Sequence, residues 1–386
     1  MRILVNLALA VASVMFASPA EAQVGAEPTA QSDASRIPNA NQYICTFNAG
    51  ILRGAVAAET ARSIGPELGE TLFIYSHVLK GFAVRLPAIP GGAASVTARL
   101  RSHNPNIRSC ERDGIVRAAA IPTVGRPVGG ATQSTPWGVT RVGGPGDASG
   151  SNARAWIIDS GIDLSHPDLN VDAADGASFL TSDSSLNDTY GHGTHVAGII
   201  GAKNNSIGVV GVAAGAKVVP VRVLDGTGTG PDSGVIAALD YVAQHAVPGD
   251  VANLSLIADA VSVTMDQAVL NLGALGVPVV IAAGNNSANA SNYSPGRTNG
   301  PNVFTVSAFN SRDTWASFSN YGSAIDWSEP GVNVTSTYKN GGYATLSGTS
   351  MAAPHLAGIL LLQAAANSGG TVKRDPDGVP DSIGVR

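Results

Sequence analysis

Residues 155–161 read Ala-Trp-Ile-Ile-Asp-Ser-Gly, and the reading of this stretch decides the architecture. Four apolar residues in a row, without the in-out alternation of a half-exposed strand, describe a strand covered on both faces. The run ends on a carboxylate, Asp159, followed by a Ser-Gly pair suited to a turn. Similar runs recur downstream at Val218–Leu224, Val251–Leu256, Val277–Ala282 and Val303–Val306. Between them His192–Ala202, Asp232–His245 and Val263–Leu275 carry helical spacing, and Ser350–Ala366 closes the series. Buried strands alternating with helices predict an α/β fold, a doubly wound parallel sheet with helices on both faces. Open sheets of this kind place their sites at strand C-termini, which is where Asp159 stands.

Upstream of Thr135 the pattern changes. Gln42–Phe47 is strand-like, Ala57–Leu68 helix-like, and Leu72–Val78 and Gly81–Leu86 read as paired strands. Gly92–His103 reads as a helix and Ile107–Asp113 as a last strand. That β-α-β-β-α-β order predicts a small ferredoxin-like α+β module over residues 42–117. Ala118–Gln133, rich in Gly, Pro and Ala without periodicity, reads as a linker. Residues 23–41 are polar and small, and read as a disordered linker.

The first 22 residues read as an export signal. Arg2 supplies a positive end, Ile3–Phe16 an apolar run, and Ala20-Glu21-Ala22 the small residues of a cut before Gln23. The run is shorter than the roughly 18 apolar residues that a membrane span requires. A secreted protein is expected, extracellular or periplasmic in transit, with no membrane attachment after signal removal. The only two cysteines, Cys45 and Cys110, therefore pass through an oxidising compartment, which favours a disulfide over a zinc site. The first and last strands of such a module are usual neighbours, and each carries one of them. Among 386 residues the net charge is −5, and no basic stripe is present to neutralise phosphates, which argues against nucleic acid as a partner. The 46 glycines favour a loop-rich α/β protein over a helical bundle.

Two further segments stand out. His192 opens a helical stretch in Gly191-His-Gly-Thr-His-Val-Ala-Gly198, with no glutamate between its two histidines as a zinc-protease helix would have. Ser350 lies where loop gives way to helix in Gly348-Thr-Ser-Met-Ala-Ala-Pro-His355. A helix start suits a serine as N-cap, and it also aims backbone N–H groups at an anion. Pro354 is expected in the first turn, where helix amides lack a partner anyway.

Together, Asp-Ser-Gly, His-Gly-Thr-His-Val-Ala-Gly and Gly-Thr-Ser-Met-Ala-Ala-Pro-His, in that order, resemble the subtilisin-like serine proteases over roughly residues 131–365. The order Asp, His, Ser is the one known from subtilisin itself. The resemblance implies a triad of Asp159, His192 and Ser350, with His195 and His355 as packing residues. Ala282-Ala-Gly-Asn-Asn286 matches the segment of the family's oxyanion-hole asparagine, here Asn285, acting with the Ser350 N–H. Substrate-binding positions carried over are Ser255, Leu256 and Ile257, Gly228, Thr229 and Gly230, and Ala282, Ala283 and Gly284.

The same resemblance implies a structural calcium ion. Its ligands would be Gln133, Asp168, Asn205 and the carbonyls of Lys203, Ile207 and Val209, since a hard cation takes six to eight oxygens. Residues 42–117 resemble the family's inhibitory propeptide, which chaperones folding and lays its tail through the active site. Residues 118–131 would then hold the maturation cut, and residues 132–386 the catalytic domain. The implied partners are protein or peptide substrates and the chain's own propeptide, and the expected state is a monomer. A silent relative that only binds or chaperones is the alternative, opposed by the complete triad. An esterase on an α/β-hydrolase fold is opposed by the order of the triad and by the lack of a Gly-x-Ser-x-Gly elbow.

The chain departs from the family's pattern at three places. Asp375-Pro-Asp-Gly-Val-Pro-Asp381 reads as a solvated turn, and the chain ends sooner after the Ser350 helix than most members do. Where the family commonly has Ser-Leu-Gly-Gly, this chain has Ser255-Leu-Ile-Ala258. Ile257 either points into the first specificity pocket and excludes large aromatic residues at P1, the residue whose carbonyl is attacked, or it points away and only reshapes the entrance.

Overall fold

The computed structural model describes residues 41–65, 68–120 and 132–386. The export signal, residues 23–40 of the expected first linker and residues 121–131 of the second lie outside them. Among the described residues no helix is long and apolar enough to cross a membrane.

The N-terminal module contains β1 (Gln42–Phe47), α1 (Val56–Ser63), β2 (Glu70–Tyr75), β3 (Gly81–Arg85), α2 (Gly92–His103) and β4 (Ile107–Arg112). The strands form one antiparallel sheet in the order β2-β3-β1-β4. Cys45 on β1 stands directly opposite Cys110 on β4, with Cα atoms 4.0 Å apart, and a disulfide joins them. Helix α1 ends at Ser63, five residues before the expected Leu68, because Gly65-Pro66 follows and proline disfavours a helical residue before it. Strand β2 ends at Tyr75, short of the expected Val78. The N–H groups of Ser76, His77 and Val78 instead donate to the Asp240 carboxylate of the larger domain, at 2.6–3.1 Å. Asn41, expected to be disordered, is held by Leu86 N–H on its carbonyl at 2.9 Å.

In the larger domain β6 (Arg154–Asp159) lies near the middle of a parallel sheet, between β7 (Lys217–Arg222) and β9 (Val251–Leu254). The strand alternates its side chains between two cores. Trp156 and Ile158 face a cluster with α4 (Asp232–His245) and α5 (Val263–Ala274). Ala155 and Ile157 face one with α3 (His192–Gly201) and α6 (Thr349–Leu362). Helices therefore cover both faces, and each fully buried large side chain contributes roughly 1.5–3 kcal/mol. Beyond β9 the sheet continues in parallel through β11 (Val279–Ala282), β12 (Val303–Phe309), β13 (Trp327–Pro330) and β15 (Ser382–Val385). Helix α6 stops at Leu362 instead of Ala366. Residues Asn367–Thr371 leave it as β14, paired antiparallel with β15, where Gly369 and Gly370 disfavour helix.

Two strand expectations are corrected at the edge that matters for function. Val251–Leu256 is not one strand. It breaks at Ser255, and Leu256–Ala258 (β10) departs into a second, three-stranded sheet. The middle strand of that sheet is β5 (Ile115–Ala118), which straddles the expected boundary between module and linker. It runs antiparallel to both β10 and β8 (Thr229–Pro231), pairing Arg117 with Ile257 and with Thr229. Two carboxylates just before β5 tie the module down. Asp113 accepts from Ser233 N–H and Oγ–H at 2.9 and 2.6 Å in the first turn of α4. Glu111 accepts from the Ser262 hydroxyl at 2.8 Å at the cap of α5. Negative groups are favourable at helix N-termini, which carry unpaired N–H donors.

Candidate active site

The C-terminal ends of β6, β9 and β11 and the N-termini of α3 and α6 meet at one edge of the sheet. Asp159 closes β6, and His192 is the first residue of α3. Nδ1 of His192 lies 2.8 and 2.9 Å from the two Asp159 carboxylate oxygens, with both side chains buried. Asp159 also accepts from Ser160 N–H at 2.7 Å. Nε2 of His192 is buried without a hydrogen-bond partner.

Asp188, which sequence reading missed, positions that helix. Its carboxylate accepts from the N–H groups of Tyr190, Gly191 and Thr194 and from the hydroxyls of Ser160 and Thr194, at 2.6–3.0 Å. Burial raises its pKa above the ordinary carboxylate value, while the Thr194 and Gly191 hydrogen bonds pull it back. An Asp four residues before His192 is a local signal that helix-cap reasoning can use.

Ser350 is the second residue of α6, and its hydroxyl donates to the Ser255 carbonyl at 3.0 Å. Pro354 is not in the first turn but at the sixth residue of the helix. A regular residue there would donate to the Ser350 carbonyl, which instead accepts from the Ser255 hydroxyl at 3.0 Å. Proline is thus tolerated because a side chain replaces the lost backbone donor.

Asn285 follows β11. Its Oδ1 accepts from Thr349 N–H and from the Thr349 hydroxyl at 2.9 and 3.0 Å. Those bonds set the amide so that Nδ2 donates to the carbonyl oxygen of Ala119, at 2.6 Å. The N–H of Ser350 reaches the same oxygen at 3.2 Å. Ala119 itself is buried, and its N–H donates to the Ser255 carbonyl at 3.1 Å. One carbonyl of the chain therefore sits between two converging donors, one of them the N–H of Ser350 itself.

Ser255, Leu256 and Ile257 form one flank of this groove, Gly228, Thr229 and Gly230 the other, and β5 fills the space between them. Ala282, Ala283 and Gly284 lie behind it. Gly284 has φ +99°, and a Cβ built there would meet Ile257 Cδ1 at 2.6 Å. His195 and His355 stand apart as packing groups. Nε2 of His195 is 3.1 Å from the Ala344 carbonyl, and Nδ1 of His355 is 2.8 Å from the Met351 carbonyl. Burial lowers their pKa values to about 3 and about 4, so both are neutral.

The six residues expected at a cation site come together away from the groove. Gln133 Nε2 donates to the carbonyls of Lys203 and Val209 at 2.8 and 3.4 Å. Asp168 accepts from Asn205 Nδ2 at 2.8 Å and from Val209 N–H at 3.1 Å, and Asn205 Oδ1 accepts from Ile207 N–H at 2.8 Å. The set is rich in oxygen, and a half-turn of the Gln133 amide adds another, which fits a hard cation. Among the described residues no cluster of three or more His, Cys, Asp and Glu side chains is suited to a metal.

Residues 151–374 match the subtilase family model. The chain belongs to the subtilase family. It is 44% identical over 234 residues to M-protease of Shouchella clausii (strain KSM-K16), a match covering 60% of this chain and 60% of that one. It is equally identical over 234 residues to subtilisin Savinase of Lederbergia lenta, covering 84% of that protein. An extracellular serine proteinase of Thermus sp. (strain Rt41A) is 39% identical over 316 residues, 79% of this chain and 71% of that one. Among solved structures, a cold adapted subtilisin-like serine proteinase is similar with a TM-score of 0.56 and 36% identity, covering 64% of this chain and 96% of that one. This subtilase thus shares its family with serine endopeptidases.

Proposed function

We propose that the chain is the precursor of a secreted serine endopeptidase, and that its first cut is its own Ala119–Ala120 bond. The observation that carries this reading is the Ala119 carbonyl oxygen, held by Asn285 Nδ2 at 2.6 Å and Ser350 N–H at 3.2 Å. Turning about its Cα–Cβ bond, the Ser350 hydroxyl leaves the Ser255 carbonyl and gives its proton to His192 Nε2. Oγ bonds to the Ala119 carbonyl carbon, and the oxygen becomes an anion between the two donors. Collapse breaks the carbon–nitrogen bond, and His192 passes the proton to the leaving Ala120 amine. Water then enters by the same route and releases the acyl group from Ser350. Asp159 holds the imidazole tautomer and stabilises the imidazolium.

Residues 42–119 then act as inhibitor and folding chaperone, their tail blocking the groove that a protein substrate would occupy. The Cys45–Cys110 bridge leaves with them, so the mature enzyme contains no cysteine. The purified protein should hydrolyse casein, lose that activity to a serine-directed sulfonyl fluoride, and carry a new N-terminus at Ala120. Cleavage of a short acyl ester with casein untouched would overturn the endopeptidase reading, and a new N-terminus elsewhere would overturn the assigned bond.

Gln133, Asp168, Lys203, Asn205, Ile207 and Val209 would hold a calcium ion that links segments far apart in sequence. Ligand binding to the native state alone stabilises it by about 2.7 kcal/mol at a hundredfold excess over Kd. For a domain of this size that corresponds to roughly 5–10 °C in Tm. Chelator should lower the melting midpoint by that amount in the wild type and leave Asp168→Ala unmoved. Equal midpoints with and without chelator would remove the calcium site.

A further inference from the structure

We propose that Ile257 restricts this subtilase to chains with a small residue at P1, and that Asp259 adds a modest preference for a basic residue at P3. The proposal rests on the reading above, in which residues 116–119 occupy the groove as P4 to P1.

Ile257 answers the question its sequence position raises. The wall formed by Ser255–Ala258 and the wall formed by Ala282–Gly284 flank the space beside Ala119. Ile257 Cδ1 reaches across to Gly284, lying 2.6 Å from where a Cβ on that glycine would stand. The side chain therefore spans the gap between the walls. Ala119, at the P1 position, packs in the same apolar cluster as Ile257 and is 3% exposed. A methyl group fits the remaining space, and an aromatic ring would require Ile257 to leave. Its β-branch leaves few first-torsion rotamers, so it cannot readily swing aside. Gly284, at φ +99°, is already the smallest possible residue for that wall.

P3 is read by a different group of the same strand end. Arg117 Nε donates to Asp259 Oδ1 at 2.8 Å and its Nη2 to Oδ2 at 2.8 Å, a two-pronged contact. Both side chains are about half exposed, so solvent screens the pair and its effect is modest. P4 is apolar, since Val116 is fully buried beside Leu254, Leu256 and Ala258.

The test uses the mature enzyme and matched peptides that differ at one position. For Val-Arg-Ala-Ala against Val-Arg-Ala-Phe, kcat/KM should favour Ala roughly 10- to 200-fold. Ile257→Gly, with Ile257→Ala as the milder variant, should shift the Phe/Ala ratio at least tenfold (about the lower bound of that range). Replacing P3 Arg by Glu should lower kcat/KM about two- to fivefold at low salt, and Asp259→Asn should shrink that ratio. A wild type that cleaves Phe as fast as Ala, or an Ile257→Gly ratio unchanged from wild type, overturns the P1 assignment. Indifference to Arg or Glu overturns the P3 assignment. No cleavage of any peptide, Val-Arg-Ala-Ala included, overturns the bound-tail reading and the proposal with it.

Discussion

Ser350→Ala should leave the precursor uncut after signal removal, with residues 42–119 still covalently joined to the larger domain. The variant keeps the groove, the two oxyanion donors and the β5 pairing, and loses only the atom that would attack Ala119. In subtilisin, loss of the serine or the histidine costs about 10⁶-fold in kcat, a magnitude that belongs to that relative and sets the scale expected for this chain. An intramolecular cut slowed that far does not finish on any practical timescale. The expected gel shows one band of precursor size in a protease-free host, whereas the wild type shows two fragments. Normal maturation of Ser350→Ala would exclude self-cleavage. His192→Ala should give the same outcome, because its Nε2, without a hydrogen-bond partner among the described residues, is the base of the proposed step.

Asn285→Leu should lower kcat of the mature enzyme by about 100- to 1000-fold, again the range known from subtilisin. The substrate carbonyl is nearly neutral and its oxygen becomes an anion only in the transition state, so the donor matters most there. KM should consequently change little while kcat falls. A fall confined to KM would mean that Asn285 only holds the ground state. Thr349 prepares the effect, since its N–H and hydroxyl occupy Asn285 Oδ1 and leave Nδ2 facing the reacting oxygen. The two donors come from different elements, the end of β11 and the first turn of α6. Neither alone surrounds the oxygen.

Much of this was legible in sequence. Unalternated apolar runs such as Ala155–Ile158 predict strands covered on both faces, and the helical runs between them predict the winding. Four segments resembling one family picked out Asp159, His192, Ser350 and Asn285, whose types and local settings are specified within a few residues of each. The disulfide partners were legible because only two cysteines exist and the first and last strands of the module adjoin. Asp188 was missed because a carboxylate ahead of a helix is an ordinary cap until its five donors are seen together.

Boundaries were less legible where distant parts of the chain overrule local pattern. Val251–Leu256 is continuous in hydrophobicity, yet it breaks at Ser255, whose carbonyl and hydroxyl serve Ser350 and Ala119. The tail at Ile115–Ala118 lies where the sequence is losing its periodicity, because its partners are not its neighbours but β8 and β10. Hydrophobic periodicity thus indicated the fold class, and the family resemblance carried by short motifs indicated the proposed reacting groups, since helix and strand periods and short motifs depend on neighbours along the chain. Only the tertiary structure decided which carbonyl lies between the two donors, and that Ile257 reaches Gly284. Those facts depend on the parallel winding that gathers strand ends and helix starts from residues tens to hundreds of positions apart, distances over which local sequence carries no geometric information.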